Sequence, residues 1–227
     1  MTEKAKNLSA EVKDSLGYLF FKNPVLVLGL VIGQLAGGCT NLQNAAALSV
    51  TYFFVVVPVL VFAAAIGKKI PQWIKIVFYM LIAALMLVPA YFISGSFSAT
   101  IFDSVGIYPA LLAASTVPVV YSEKMAEKQT VSKAFFNGVF IALGFALTAG
   151  ILGTAREIFG SGSLWGFKLM EASFPAVKLP FWGFILLGFM AAGVNGAKEI
   201  FKKPEHEVPA AEEEKAQTVR YECSFAF

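Results

Sequence analysis

The amino-acid sequence predicts an all-α polytopic membrane protein: six transmembrane helices arranged as two inverted three-helix repeats, with the first and fourth helices broken. Three observations predict it. Of 227 residues, 57% are hydrophobic and 15% charged, with a mean hydropathy of +0.70, a balance suited to lipid rather than water. The apolar residues gather into runs approaching the ~20 residues that cross a ~30 Å hydrocarbon core at ~1.5 Å per residue. The leading run of each group of three is short and interrupted by glycine or proline.

Met1 to Lys22 carries Lys4, Lys6, Lys13 and Lys22 beside Glu3, Glu11 and Asp14, so it reads as a retained interfacial N-terminus and not a secretory signal. The first span, Pro24 to Cys39, contains Gly29, Gly33, Gly37 and Gly38. An uncharged polar connection, Thr40, Asn41, Gln43 and Asn44, leads to the second span, Ala45 to Ile66. Lys68, Lys69 and Lys75 surround Pro71 before the third, Ile76 to Ile93, and Ser94 to Ser98 reads as a Gly/Ser turn. The fourth, Val105 to Tyr121, is broken by Pro109 and Pro118 with Ser115 and Thr116 between them. After the charged loop Ser122 to Ser132 come the fifth span, Lys133 to Gly153, a long connection, Thr154 to Leu179, and the sixth span, Phe181 to Ala197. The membrane domain is thus 23–201, with repeats at about 23–95 and 98–201, followed by a charged tail, 202–227, read as cytoplasmic and disordered.

Lysine and arginine in short loops stay on the cytoplasmic side. With the N-terminus inside, cytoplasmic segments hold Lys68, Lys69 and Lys75, then Lys124, Lys128 and Lys133, then Lys198, Lys202 and Lys203, and the first two outer loops hold no lysine or arginine. Arg156, Lys168 and Lys178 run against this pattern unless buried or re-entrant. The reading is a prokaryotic inner-membrane protein with both termini cytoplasmic. Three spans per half force the halves into opposite orientations, and irregular backbone in lipid must be covered by protein or water. The broken helices are therefore the expected functional interface.

Gln34, Ser115, Thr116 and Asn195 are candidates for lining an ion or polar path there, with ordinary interhelical hydrogen bonding as the alternative. Gly29, Gly33 and Gly37 lie four apart and are read as a helix-packing face, and Pro109 and Pro118 as helix breaks. Cys39 and Cys223 give no disulfide framework, and the lone His206 sits in the charged tail. A net charge of +3 is too small to imply nucleic acid. No phosphate loop, zinc spacing or catalytic triad is present, so the chain alone is not expected to be catalytic.

Four stretches resemble the membrane subunits of Rnf complexes and sodium-translocating NADH:quinone oxidoreductases (Nqr), specifically the E-type member of Rnf and the D-type member of Nqr. They are Lys22-Asn-Pro-Val-Leu-Val27, Ile70-Pro-Gln-Trp-Ile-Lys-Ile76, Ser104-Val-Gly-Ile-Tyr108 and Arg156-Glu-Ile-Phe-Gly-Ser-Gly-Ser-Leu-Trp-Gly166. The resemblance implies inverted halves, a sister six-helix subunit, flavin- and iron-sulfur-bearing partners, and one cysteine from each broken helix toward a [2Fe-2S] cluster at a subunit interface. In this sequence those two positions fall on Gly33 and Thr116, neither of which ligates iron as thiolate does. Cys39 is the alternative thiolate only if residues are inserted into the first helix. Arg156, Glu157, Gly160 and Gly162 form the family loop motif, either facing the partners or capping a helix end. The expected function is an integral membrane subunit of an Rnf/Nqr-like ion-translocating electron-transport complex, without its own cluster ligands. The alternative is a cluster-free homodimeric transporter or channel for an ion or small solute on the same scaffold.

Overall fold

A computed structural model describes residues 23, 25–27, 29–97, 104–126, 130–165, 167–168 and 174–201. The interfacial N-terminus and the acidic tail, with His206 and Cys223, fall outside these. The chain divides into Met1–Val194 and Asn195–Phe227, the described part of the second unit being the end of the last helix.

Among the described residues, α1 is Ile32–Gly38, α2 Leu42–Ile66, α3 Gln72–Phe97, α4 Tyr108–Ala113, α5 Thr116–Ala126, α6 Val131–Ser161 and α7 Pro180–Phe201. Four of them, α2, α3, α6 and α7, are long and apolar enough to cross a membrane. The 25 residues of α2 would extend about 37 Å at 1.5 Å each, more than the hydrocarbon core requires. The two segments read as broken are those that form no single long helix. Half of the apolar window of α2 and of α6 is buried, against 17% of α3 and 11% of α7, which makes α2 and α6 the central pair.

Close approach of that pair is built from small residues and one aromatic stack. A Cβ on Gly138 would stand 3.3 Å from the Val57 backbone, and Tyr52 of α2 stacks on Phe145 of α6 with ring centroids 4.0 Å apart. Trp73, Val77, Leu81, Leu85 and Phe92 of α3 are exposed, as an apolar face toward lipid would be.

Two sequence boundaries are corrected. The Gly/Ser turn at 94–98 is not a turn at its start, because α3 continues through Phe97; an isolated glycine is tolerated inside a helix. The fifth span does not stop at Gly153. It runs to Ser161 and ends on Gly162, whose left-handed φ of 63° closes the helix as glycine does most readily. Arg156 and Glu157 therefore sit on the last turns of α6 and not in a loop. The connection that follows contains a short antiparallel pairing, Ser163–Leu164 with Phe167–Lys168, and the 3-10 turn Pro175–Lys178 that leads into α7.

Candidate functional site

The first helix break lies between Gly38 and Leu42. A helix end leaves carbonyls without partners and a helix start leaves N–H groups without them, and both occur here within four residues. Neither Val31 before α1 nor Asn41 before α2 makes a side-chain cap. Both needs are met from α6. Arg156, fully buried, donates from Nη1 to the carbonyls of Ala36 (2.6 Å) and Cys39 (3.0 Å) at the end of α1. Its Nε donates to Val177 O (3.1 Å), and Nη2 to Leu179 O (3.2 Å) and to Lys178 O. Glu157 faces the other way and accepts the Leu42 N–H at 2.9 Å. A cation thus meets a C-terminal helix end and an anion an N-terminal one, the favourable sense for both helix dipoles.

Ser104 and Tyr108 close the break from another side. Asn44 Nδ2 donates to Thr40 Oγ1 (2.9 Å) and its Oδ1 accepts the Ser104 hydroxyl (2.7 Å), joining the polar connection to the segment ahead of α4. The Tyr108 ring packs so tightly on Gly37 and Gly38 that a Cβ on Gly37 would overlap it, and one on Gly38 would stand 3.1 Å from its Cγ. Asn23 anchors the start of the first broken segment: its Nδ2 reaches Gly144 O (2.9 Å) and Thr148 Oγ1 (3.2 Å), and its Oδ1 accepts the Val25 N–H (2.9 Å). Replacing Asn44 with leucine should cost about 0.5–1.5 kcal/mol for each of the bonds lost to Thr40 and Ser104, read as a lowered melting temperature.

The other predicted residues are placed as follows. Gln34 is half-buried and reaches toward Leu111 O of α4 at 3.5 Å, the outer limit of a hydrogen bond. Ser115, buried at the second break, has a hydroxyl with no partner among the described residues, and the Thr116 side chain is outside the described set. Pro109 and Pro118, both buried, stand in the first turns of α4 and α5, where proline breaks the preceding helix and starts the next. A Cβ on Gly160 would press on Lys178 Cγ at 2.9 Å, so this glycine makes room for the segment that Arg156 holds. Asn195 is exposed near the end of α7, in the second unit of the chain.

The structure separates the three glycines of the stripe. Gly37 is a packing glycine, but Gly33 is exposed with nothing within 4 Å of a Cβ, and Gly29, at φ 65°, precedes the helix. The three do not share one helical face because α1 begins only at Ile32. The residues missed were Asn23, Asn44, Ser104 and Tyr108. All four lie in stretches that stand out in the sequence, either the uncharged polar connection or the family-like motifs.

At the two positions where the resemblance places cluster ligands, the sequence offers no thiolate. Gly33 has no side chain, and Cys39 is fully buried beside the Arg156 bonds with its thiol free. Among the described residues no group of three or more His, Cys, Asp or Glu side chains stands together.

Known proteins similar to this chain agree in kind. A family model described as Rnf-Nqr subunit, membrane protein, matches residues 12–191. The E component of the proton-translocating ferredoxin:NAD(+) oxidoreductase complex of Clostridium ljungdahlii is 27% identical over 180 residues, covering 78% of this chain and 84% of the relative. The E component of the ion-translocating oxidoreductase complex of Shewanella loihica is 31% identical over 217 residues, covering 88% and 92%. Its counterpart of the same description from Buchnera aphidicola is 27% identical over 192 residues, covering 75% and 85%.

Proposed function

From the premise that the chain belongs to the Rnf-Nqr family of membrane subunits, we propose that it is an integral, multi-pass subunit of an Rnf-type ion-translocating oxidoreductase complex. The observation that carries this reading is the family match across residues 12–191, shared with relatives named as the E component of such complexes. Catalysis belongs to the assembled complex, and this chain supplies a membrane scaffold to it.

Six spans in two inverted repeats, with both termini cytoplasmic in an inner membrane, are part of the same proposal. Its support is the resemblance between the two leading segments. Each has a left-handed glycine, Gly29 (φ 65°) or Gly106 (φ 59°), just ahead of a short helix, and each then breaks before a longer one. The exposed residues flanking α4, Ile107 and Ala114, would leave irregular backbone against hydrocarbon. A second membrane chain covering that face removes the penalty. We take it to be a sister six-helix subunit, with flavin- and iron-sulfur-bearing subunits beyond it.

The chain itself, by this reading, contributes no thiolate to a [2Fe-2S] cluster, since glycine and threonine occupy the family's positions at 33 and 116. Affinity purification of the full chain from its own membranes tests both statements. A paralogous six-span chain and flavin-bearing subunits should co-purify, and the isolated chain should carry iron well below stoichiometry. A clean homodimer without those partners would overturn the complex in favour of a stand-alone transporter, and stoichiometric iron on the isolated chain would overturn the cluster-free reading.

A further inference from the structure

Five backbone carbonyl oxygens surround the guanidinium of Arg156: those of Ala36 and Cys39, both buried residues at the first break, and those of Val177, Lys178 and Leu179 ahead of α7, the last two on exposed residues. All five accept from the Arg156 guanidinium, and among the described residues no carboxylate joins them. Glu157, next in the chain, is engaged with the Leu42 N–H. Neutral donors would suffice to satisfy carbonyls, yet a full positive charge stands here despite the cost of removing it from water. A shell of carbonyl dipoles is also what replaces the hydration of a monovalent cation inside membrane proteins. Such ions lie where helices break and C-terminal carbonyls face a common centre.

The geometry points to a monovalent-cation site built from these five carbonyls. Arg156 is its resident, tethered cation, and a free monovalent cation enters when the side chain is removed. The class is guanidinium or an alkali ion; a divalent ion prefers carboxylate oxygens, which this shell lacks. The site lies within one chain and does not depend on assembly into a complex.

The test is the thermal melt of the full chain in detergent, with Arg156→Ala compared with wild type. Each protein is melted in choline chloride, in sodium or potassium chloride of equal ionic strength, and with low-millimolar guanidinium added to choline. The variant's melting temperature should rise by several degrees with guanidinium, saturably, with a smaller rise in an alkali salt, and wild type should not respond. A folded Arg156→Ala whose melt is the same in every salt would overturn the site. If that variant does not fold, Arg156→Lys and Arg156→Gln decide. Lysine keeps a tethered cation and should melt well above glutamine, which keeps only hydrogen-bond donors. Glutamine melting at or above lysine would overturn the proposal.

Discussion

Arg156→Met is expected to destabilise the chain by about 3–5 kcal/mol, because it strands several carbonyls of the first break at once. Three of the stranded carbonyls, on Ala36, Cys39 and Val177, belong to buried residues, and each unsatisfied buried acceptor costs about 1–3 kcal/mol. The carbonyls of the exposed Lys178 and Leu179 can find other partners and add less. Against this stands the relief of no longer burying a guanidinium, which keeps the total below the plain sum. Glu157→Gln provides the contrast. It retains an oxygen for the Leu42 N–H and loses only the charge at the helix start, about 0.3–1 kcal/mol. Thermal melts of the two variants in detergent check the difference, and equal melting temperatures would show that the carbonyl shell does not hold the break. Co-purification of partner subunits should fall in the same order, since the face to be covered is positioned by the break.

Most of the fold was legible in the sequence because hydrocarbon imposes a length. The runs that became α2, α3, α6 and α7 are long and nearly uncharged, and little other than a spanning helix satisfies their backbone in lipid. The two broken segments were legible through their prolines and glycines. Boundaries were less so. Gly153 reads as a helix stop, but it is there because a Cβ would stand 2.9 Å from Asn41 O, and α6 simply passes through it. The charge pattern asked for burial or re-entry of Lys168, Lys178 and Arg156; the two lysines are exposed, and of the three only Arg156 is buried. Its partners were not legible, because backbone carbonyls carry no sequence signal. The same limit hid Asn23 and Asn44, whose partners lie 121 and 60 residues away.

Gly183→Val should be the other strongly destabilising change, and it should interact with Arg156→Met. A Cβ at 183 would lie 2.8 Å from Ala36 Cα, 2.9 Å from its oxygen and 3.0 Å from its Cβ. Backbone faces backbone there, so no side-chain rotamer can yield, and overpacking of this kind costs about 1–3 kcal/mol. The Ala36 oxygen that valine would crowd is the one Arg156 Nη1 holds at 2.6 Å. Valine must therefore shift either the start of α7 or the end of α1, and the second loosens the arginine's grip before arginine is touched. Melts of wild type, the two single variants and the double variant should give a double variant less destabilised than the sum, by about 0.5–3 kcal/mol. Additivity within about 0.5 kcal/mol would mean the two contacts act independently. Non-additivity would mean that a displacement of α7 at Gly183 reaches the first helix break through a single carbonyl, which joins the last span to the end of α1.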